Sequence, residues 1–366
     1  MTVDALDGSG ITDYNRLMTE FGIKSLERLP SSPHFFMTRG ILFGQTDFSK
    51  ILDAMSHGNS FAVMTGIKPT GSYHIGSIAT AQELVYFQQQ GGKVYYCIAD
   101  VEAFATNRTS LETSAENAVD NLAELLALGL DPSPEKAFFY RQSSQREVLL
   151  LSHLLSSIVT KNTLEGIYGV KPRIGYYNAA LVQVADILLP QILEGPIPTL
   201  TPIGADQAPH ARLTRDIVRR KTLPMIEKYV LPAFTYHYMI EGIDGSPKMS
   251  KRYPMSVFSM GEPMSSIKQK IANALTGGRD TAREQRELGG QPHKCRVFDL
   301  FRFLFEPSDD DLEQRAMMCR EGSLLCGPCK KELVTEIEEF REIHLYKKSN
   351  AMTIAREIAS STPQQP

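Results

Sequence analysis

The chain has 366 residues, of which 39 are Lys or Arg and 42 are Asp or Glu, and its formal net charge is −3. This near-neutral balance, with 42% hydrophobic residues, is typical of a globular protein and neither demands nor excludes a nucleic-acid partner. The N-terminal residues include Asp4 and Asp7 and no long apolar run, so we expect no secretory signal, and no later stretch has the length of a membrane span. We therefore expect a cytoplasmic protein, and its length suggests two domains.

Residues 1–60 are interpreted as an N-terminal appendage. Apolar residues recur with helical spacing over 11–21 and again over 47–55, and a Pro- and Ser-containing loop separates the two stretches.

From residue 61 onwards, strand-like and helix-like patterns alternate. Such alternation predicts an α/β domain with a parallel sheet, helices on both of its faces, and ligand sites at the C-terminal ends of the strands. The pattern continues to about residue 255, with a loop over 166–175 and a helix break at Pro190. Strands are predicted at 61–64, 93–100, 136–140 and 199–204, and helices at 78–87, 117–130, 153–161, 181–193 and 207–220.

Residues 256–366 contain no strand pattern. Helical spacing recurs over 264–275, 297–305, 309–319 and 330–357, and in the last of these Leu333, Ile337 and Phe340 form one apolar stripe. We predict an all-α C-terminal domain.

Residues 64–77 form the first candidate site. An apolar strand leads into a loop of Gly, Pro, Thr and Ser, and a helix follows. The unpaired N–H groups and the dipole of a helix N-terminus attract anions, and Gly76 lets a ligand approach the backbone. Lys68 and His74 add donors for phosphate oxygens. The stretch is a candidate nucleotide site.

A second cationic stretch, Lys248-Met249-Ser250-Lys251-Arg252, follows a turn-like segment about 170 residues downstream. Its cations suit a mobile clamp on a polyphosphate. Together with His74-Ile75-Gly76-Ser77, this stretch resembles the two signatures of class I aminoacyl-tRNA synthetases, known as HIGH and KMSKS. The resemblance implies a Rossmann-type catalytic domain over 61–255 and a helical anticodon-binding domain over 256–366.

Further stretches narrow the resemblance to tryptophanyl-tRNA synthetases of the archaeal type. Residues 204–216 are similar to the GxDQ…TRD segment of that family, residues 181–188 resemble its pocket helix, and residues 276–290 look like the corresponding archaeal run. The implied reaction joins L-tryptophan to ATP, releases pyrophosphate, and passes tryptophan to the 3′ end of tRNA(Trp). A homodimer is implied by the resemblance alone.

The resemblance implies a role for each matching residue in binding MgATP. His74 and Lys68 are expected on the phosphate chain, while Lys248 and Lys251 stabilise the departing pyrophosphate. Asp206 is expected to bind the ribose hydroxyls. The other residues expected to contact ATP are Thr70, Gly76, Ser77, Gly204, Met249 and Ser250.

The amino-acid pocket is less closely defined. The indole N–H needs one acceptor, and both Asp186 and Glu102 qualify; we favour Asp186, as in the bacterial pattern. Gln183 or Gln207 is expected to hold the substrate ammonium or carboxylate, and Met64 stands where eukaryotic enzymes carry a tyrosine that contacts indole. Asp186 as a helix cap and Gln183 as a paired core amide are the structural alternatives.

Four cysteines in the C-terminal region, Cys295, Cys319, Cys326 and Cys329, have the spacing C-x23-C-x6-C-x2-C. Four thiolates can hold Zn²⁺ or an iron–sulfur cluster, and reduced structural thiols are the alternative. A branch of bacterial tryptophanyl-tRNA synthetases carries a 4Fe–4S cluster at nearly this spacing, which places the cluster ahead of zinc. Cys97 lies apart and is predicted to be a packing residue.

The sequence leaves two other functions open. A tyrosyl-tRNA synthetase would share the nucleotide site, and a synthetase-like binding protein would keep the fold without catalysis. Arg212, Arg215, Arg219, Arg220 and Lys221 are either a tRNA-facing surface or a solvated helix face.

Overall fold

The computed structural model describes residue 11, residues 13–249 and residues 253–360. Six strands in this part of the chain form one sheet: β1 (Leu42–Thr46), β2 (Phe61–Ile67), β3 (Gly92–Ile98), β4 (Ala137–Arg141), β5 (Thr199–Gly204) and β6 (Ala233–His237). Their order in the sheet is β1-β6-β5-β2-β3-β4, and only the edge strand β1 is antiparallel to its neighbour. The segment predicted as an appendage supplies that edge strand.

Helices cover both faces of the sheet, because successive strand side chains point to opposite sides. The helices of this half are α1 (Tyr14–Phe21), α2 (Phe35–Thr38), α3 (Ser49–His57), α4 (Ile75–Gln89), α5 (Asp100–Asn107), α6 (Leu111–Ala127), α7 (Arg146–Leu155), α8 (Lys161–Tyr168), α9 (Ile174–Glu194) and α10 (Ala208–Arg220). Val63 packs in the same apolar cluster as helices α3, α4 and α6, whereas Ala62 and Met64 pack with α7, α9 and α10.

The described part of the C-terminal region contains helices and no strand, as predicted. Leu333 and Ile337 of the predicted apolar stripe are fully buried. The long last helix packs against α6, so the helical region is fixed directly to the sheet domain. Its helices are α11 (Met264–Ala272), α12 (Ala282–Leu288), α13 (Arg296–Leu300, continued by a π-helical turn over Phe301–Phe305), α14 (Asp309–Arg320) and α15 (Cys326–Ser360).

Three details of the sequence prediction are wrong. The span 153–161, expected to be one helix, holds the end of α7, a turn over 156–160 and the start of α8, whose first turn Thr160 caps. The loop expected over 166–175 is shorter, since α8 extends to Tyr168 and α9 begins at Ile174. Pro190 does not break α9, which continues through it to Glu194 while packed in the core.

Candidate active site

A cavity of about 380 Å³ lies where the parallel strands end. Its walls come from the ends of β2, β3, β5 and β6 and from the start of α4, as expected for a doubly wound sheet. This volume is within the range of small-molecule and cofactor sites. The predicted residues on its walls are Met64, Lys68, His74, Gly76, Ser77, Glu102, Gln183, Asp186, Gly204, Asp206, Gln207, Lys248 and Met249.

One predicted residue among those that the structure describes is not on this wall. Thr70 lies in the loop before α4 but does not line the cavity. Ser250 and Lys251 lie outside the described residues.

His74 caps the N-terminus of α4. Its Nδ1 accepts a hydrogen bond of 3.3 Å from the backbone N–H of Ser77, so a neutral ring carries its proton on Nε2 and acts there as a donor. A Cβ on Gly76 would lie 3.1 Å from the His74 ring, so glycine leaves room for the ring and for a ligand. The arrangement turns a helix N-terminus and a donor histidine towards the cavity.

Each lysine on the cavity wall lies beside a carboxylate. Lys248 Nζ is 2.8 Å from Asp206 Oδ2, and Lys68 Nζ is 3.1 Å from Glu102 Oε1. The structure therefore brings Lys248 of the second signature against Asp206, which lies in a different part of the sequence. Each lysine can bind a phosphate oxygen when it leaves its carboxylate partner.

Asp186 projects from α9 into the deep end of the cavity and is almost fully buried. Tyr140 donates a hydrogen bond of 2.8 Å to its Oδ1, and the Gln142 amide donates one of 2.6 Å to its Oδ2. Burial raises the pKa of Asp186 to about 7, although both hydrogen bonds favour the charged form. Nearby, the Gln183 amide donates to Gln207 Oε1 at 3.3 Å.

Sequence reasoning missed several residues of the cavity wall. His237 belongs to β6, a short strand that the sequence analysis did not identify, and Cys97 was expected only to pack in the core. Cys97 is buried and also lines the cavity. An Ala-Phe-Thr-Tyr-His run was the available signal for β6. Other unpredicted wall residues are Thr80, Ala99, Thr201, Met239 and Ile240.

The four C-terminal cysteines line a second, small apolar cavity. Burial raises the pKa of Cys295 and Cys319, and it raises the pKa of Cys329 to about 12. Among the described residues, no group of three or more His, Cys, Asp or Glu side chains has an arrangement that holds a metal ion. The four thiols therefore converge on one cavity without forming a closed single-ion site.

The basic stretch of α10 is only partly a surface. Arg215 is buried, donates to the Pro232 carbonyl, and pairs with Asp47 at 2.9 Å, whereas Arg212 and Arg219 are about half exposed. Arg215 therefore has a structural role and does not belong to a tRNA-facing surface.

Comparison with known proteins identifies the family of this chain. The family described as "tRNA synthetases class I (W and Y)" matches residues 56–342. A tryptophan–tRNA ligase of Aeropyrum pernix is 39% identical over 97% of this chain and 98% of its own length, and one of Methanocaldococcus jannaschii is 37% identical over 95% of each. The crystal structure of the tryptophanyl-tRNA synthetase from Aeropyrum pernix K1 superposes with a TM-score of 0.89 at 38% identity, covering 97% of this chain and 98% of that one.

The chain therefore belongs to the class I aminoacyl-tRNA synthetases and, within them, to the tryptophan–tRNA ligase family. These relatives favour tryptophan over the tyrosyl alternative and an enzyme over a non-catalytic binding protein. No helix in the described part of the chain has the length and apolar character of a membrane span.

Proposed function

We infer that the chain is a tryptophan–tRNA ligase. The carboxylate of L-tryptophan attacks the α-phosphate of MgATP, which forms tryptophanyl-adenylate and releases pyrophosphate. The tryptophanyl group then passes to the 3′-terminal adenosine of tRNA(Trp), which releases AMP. The observation that carries this inference is the convergence of Lys68, His74, Asp206 and Lys248, from opposite ends of the catalytic domain, on one cavity at the strand ends.

Adenylate formation needs positioning and charge stabilisation more than covalent help. Lys68 and His74 are proposed to bind the phosphate chain, with the backbone N–H groups at Gly76 and Ser77. Lys248, released from Asp206, stabilises the leaving pyrophosphate, and Asp206 then accepts from the ribose hydroxyls. The Mg²⁺ ion enters with the ATP phosphates, since it commonly binds through substrate oxygens and water.

The remaining expected contacts are part of the same proposal. Thr70, Gly204 and Met249 are assigned to ATP, as are Ser250 and Lys251. Met64, Gln183, Asp186 and Gln207 form the proposed tryptophan pocket, with Asp186 as the indole acceptor. Glu102 is the second choice because it already pairs with Lys68.

We propose that the four cysteines hold a 4Fe–4S cluster rather than a single zinc ion. All four thiols face one cavity, and glycines leave them room, since a Cβ on Gly278 or Gly290 would lie 2.7 Å from a cysteine Sγ. A cluster spreads its four ligands over several iron atoms, so it does not require the compact donor set that one ion needs. Cys295, Cys319, Cys326 and Cys329 would hold it, and it would stabilise the helical domain.

The cluster proposal is tested by iron and acid-labile sulfide analysis of protein purified without oxygen. We expect both elements in the wild-type protein and in Cys97→Ser, and their loss in Cys326→Ser. Zinc without iron, or neither element, would contradict the cluster.

We also propose a homodimer in the cytoplasm, where the tRNA substrate is used. Large apolar side chains are exposed in the segment of chain that connects β4 to β5, among them Leu150, Val170 and Ile174. Exposed apolar surface of this kind is typical of a protein–protein interface. Sedimentation equilibrium is expected to give twice the 40.8 kDa chain mass. A monomeric mass at all concentrations would exclude the homodimer.

We also propose three parts of the chain: an appendage over residues 1–60, a catalytic domain over 61–255 and an anticodon-binding domain over 256–366.

The test of the main inference is amino-acid-dependent ATP–pyrophosphate exchange with each of the twenty amino acids, without tRNA. Exchange with tryptophan alone is expected. Exchange with tyrosine would replace the pocket assignment and leave the nucleotide site in place. Absence of exchange in folded protein, with and without tRNA, would favour a non-catalytic binding protein.

A further inference from the structure

Two ionisable side chains face each other beside the cavity. Glu83 lies in the middle of α4 and is fully buried, and His237 ends β6 with its ring on the cavity wall. His237 Nδ1 is 3.7 Å from Glu83 Oε2. Neither of these two atoms has a hydrogen-bond partner within the described residues. Unpaired buried polar atoms are costly, so the pair needs an explanation.

One proton on Glu83 satisfies both atoms. Thr235 Oγ1 donates a hydrogen bond of 3.0 Å to Glu83 Oε1, so that oxygen is an acceptor. A protonated Oε2 donates to His237 Nδ1 when the two side chains approach slightly. The neutral imidazole then carries its own proton on Nε2.

Both groups are neutral near pH 7. Burial raises the pKa of Glu83 to about 8 and lowers the pKa of His237 to about 4. The charged group facing the His237 ring is Asp206, and Lys248 neutralises that carboxylate from 2.8 Å.

His237 Nε2 lies at the nucleotide end of the cavity. A Cβ built on Gly204 would be 3.5 Å from Nε2 and 2.9 Å from Asp206 Oδ1. The imidazole N–H therefore lies beside the carboxylate assigned to the ribose.

We propose that His237 is a further nucleotide-binding residue, whose Nε2–H donates to a ribose oxygen or an adenine nitrogen of ATP. Glu83 is its positioning residue, because the proton that it donates to Nδ1 keeps the Nε2–H tautomer. This inference rests on the proposed function, which supplies ATP as the ligand.

Ionisation of Glu83 reverses the direction of the hydrogen bond between Glu83 and His237. A carboxylate accepts from Nδ1–H, and Nε2 then becomes an acceptor that no longer serves the nucleotide. Because apparent affinity falls with the fraction of competent protein, KM for ATP is expected to rise about tenfold between pH 7 and pH 9.

The variant Glu83→Gln separates this titration from all others in the enzyme. Its amide carbonyl accepts from Thr235 and its N–H donates to Nδ1 at every pH. We expect the wild-type KM for ATP at pH 7 and no rise by pH 9, with kcat little changed. His237→Ala is expected to show an elevated KM at both pH values, and His57→Ala, at an exposed histidine of α3, is the control.

The measurement is ATP–pyrophosphate exchange at saturating tryptophan. A rise of KM in Glu83→Gln parallel to that of the wild type, or an unchanged KM in His237→Ala, would overturn the proposal. If Glu83→Gln does not fold, the imidazole ¹⁵N chemical shifts of the wild-type protein show which ring nitrogen of His237 carries the proton. A proton on Nδ1 at pH 7 would contradict the proposal. Wild-type exchange with normal KM in His237→Ala refutes this inference alone, whereas absence of wild-type exchange refutes the proposed function.

Discussion

At the scale of single residues, Asp186 shows how a buried carboxylate is prepared for one ligand. Tyr140 and Gln142 fix its two oxygens by hydrogen bonds, and the deep end of the cavity gives it little contact with water. A remaining lone pair on such a group is a strong acceptor for an indole N–H.

Above pH 7, where Asp186 is mostly ionised, Asp186→Asn is expected to raise KM for tryptophan about ten- to a hundredfold, because a hydrogen bond to a charged group contributes about 1.5–3 kcal/mol. Glu102→Gln, which alters the partner of Lys68, is the matched comparison and is expected to change KM for tryptophan much less. Pyrophosphate exchange with tryptophan as the varied substrate measures both. The reverse ranking would assign the indole to Glu102.

Glu83 predicts a pH dependence of stability. Its pKa is about 8 in the folded chain, whereas an unfolded glutamate titrates near ~4.3. Between these values the folded state holds a proton that the unfolded state releases, so the free energy of unfolding falls as pH rises from about 5 to 8, by up to about 1.4 kcal/mol per pH unit.

Urea unfolding followed by circular dichroism tests this dependence. Glu83→Gln lacks the titration and is expected to give a shallower pH slope than the wild type. The difference between the two curves is the useful quantity, because the raised pKa of Asp186 acts with the same sign in both proteins. Identical slopes would mean that Glu83 is ionised in the folded chain.

At the scale of elements, α6 supports the loop that carries the first signature. Asn117 donates to the Pro69 carbonyl at 3.0 Å, and the buried Asn121 donates to the Gly71 carbonyl at 3.1 Å. Gly71 has a φ of 137°, which favours glycine, so the loop conformation depends on these bonds and on that residue.

Asn121→Ala is expected to raise KM for ATP several-fold, because the loop before His74 loses its fixed position. The variant is also expected to lose about 1–3 kcal/mol of unfolding free energy, since the Gly71 carbonyl loses its donor. Glu116→Ala, at an exposed position of the same helix, controls for helix propensity. An unchanged KM for ATP in Asn121→Ala would show that other contacts hold the loop.

The sequence predicted most elements of the sheet domain because strand and helix periods alternate clearly there. It missed β6, a five-residue strand that is covered on both faces and lacks alternation, and with it His237. Helix α4 buries ten of its fifteen residues, on more than one face, so the spacing of its apolar residues gives no sign that Glu83 is buried rather than solvated. Pro190 predicts a break within a helix, but core packing on both sides keeps α9 continuous.

At the scale of the whole molecule, a buried ion pair joins the helical region to the sheet domain. Glu124 of α6 lies against His344 of α15 and accepts from Lys348 at 2.7 Å. Burial acts to raise the pKa of Glu124, but hydrogen bonds from His344 and Lys348 outweigh it and lower that pKa, so the carboxylate stays charged. The same helix that holds the signature loop is therefore fixed to the C-terminal helix.

His344→Ala is expected to lower the free energy of unfolding by about 3 kcal/mol, because it leaves a buried carboxylate with one partner fewer. Lys347→Ala, at an exposed position of α15, is expected to have little effect. Urea unfolding measures both. A loss in His344→Ala no larger than that of the control would show that Lys348 alone satisfies Glu124.

The composition of the molecule offers a direct view of its amino-acid substrate. The chain contains no Trp and 14 Tyr, so long-wavelength indole emission from the pure protein can come only from a bound ligand. Tryptophan in the cavity would lie among Met64, Cys97 and Asp186, away from bulk water, and its emission is expected to shift to shorter wavelength than that of free tryptophan. Equilibrium titration of tryptophan, with Asp186→Asn as the matched variant, measures this binding without ATP or tRNA. A titration in which emission equals that of free tryptophan at every protein concentration would contradict a pocket preformed for indole, and it would require ATP to complete the site before the amino acid binds.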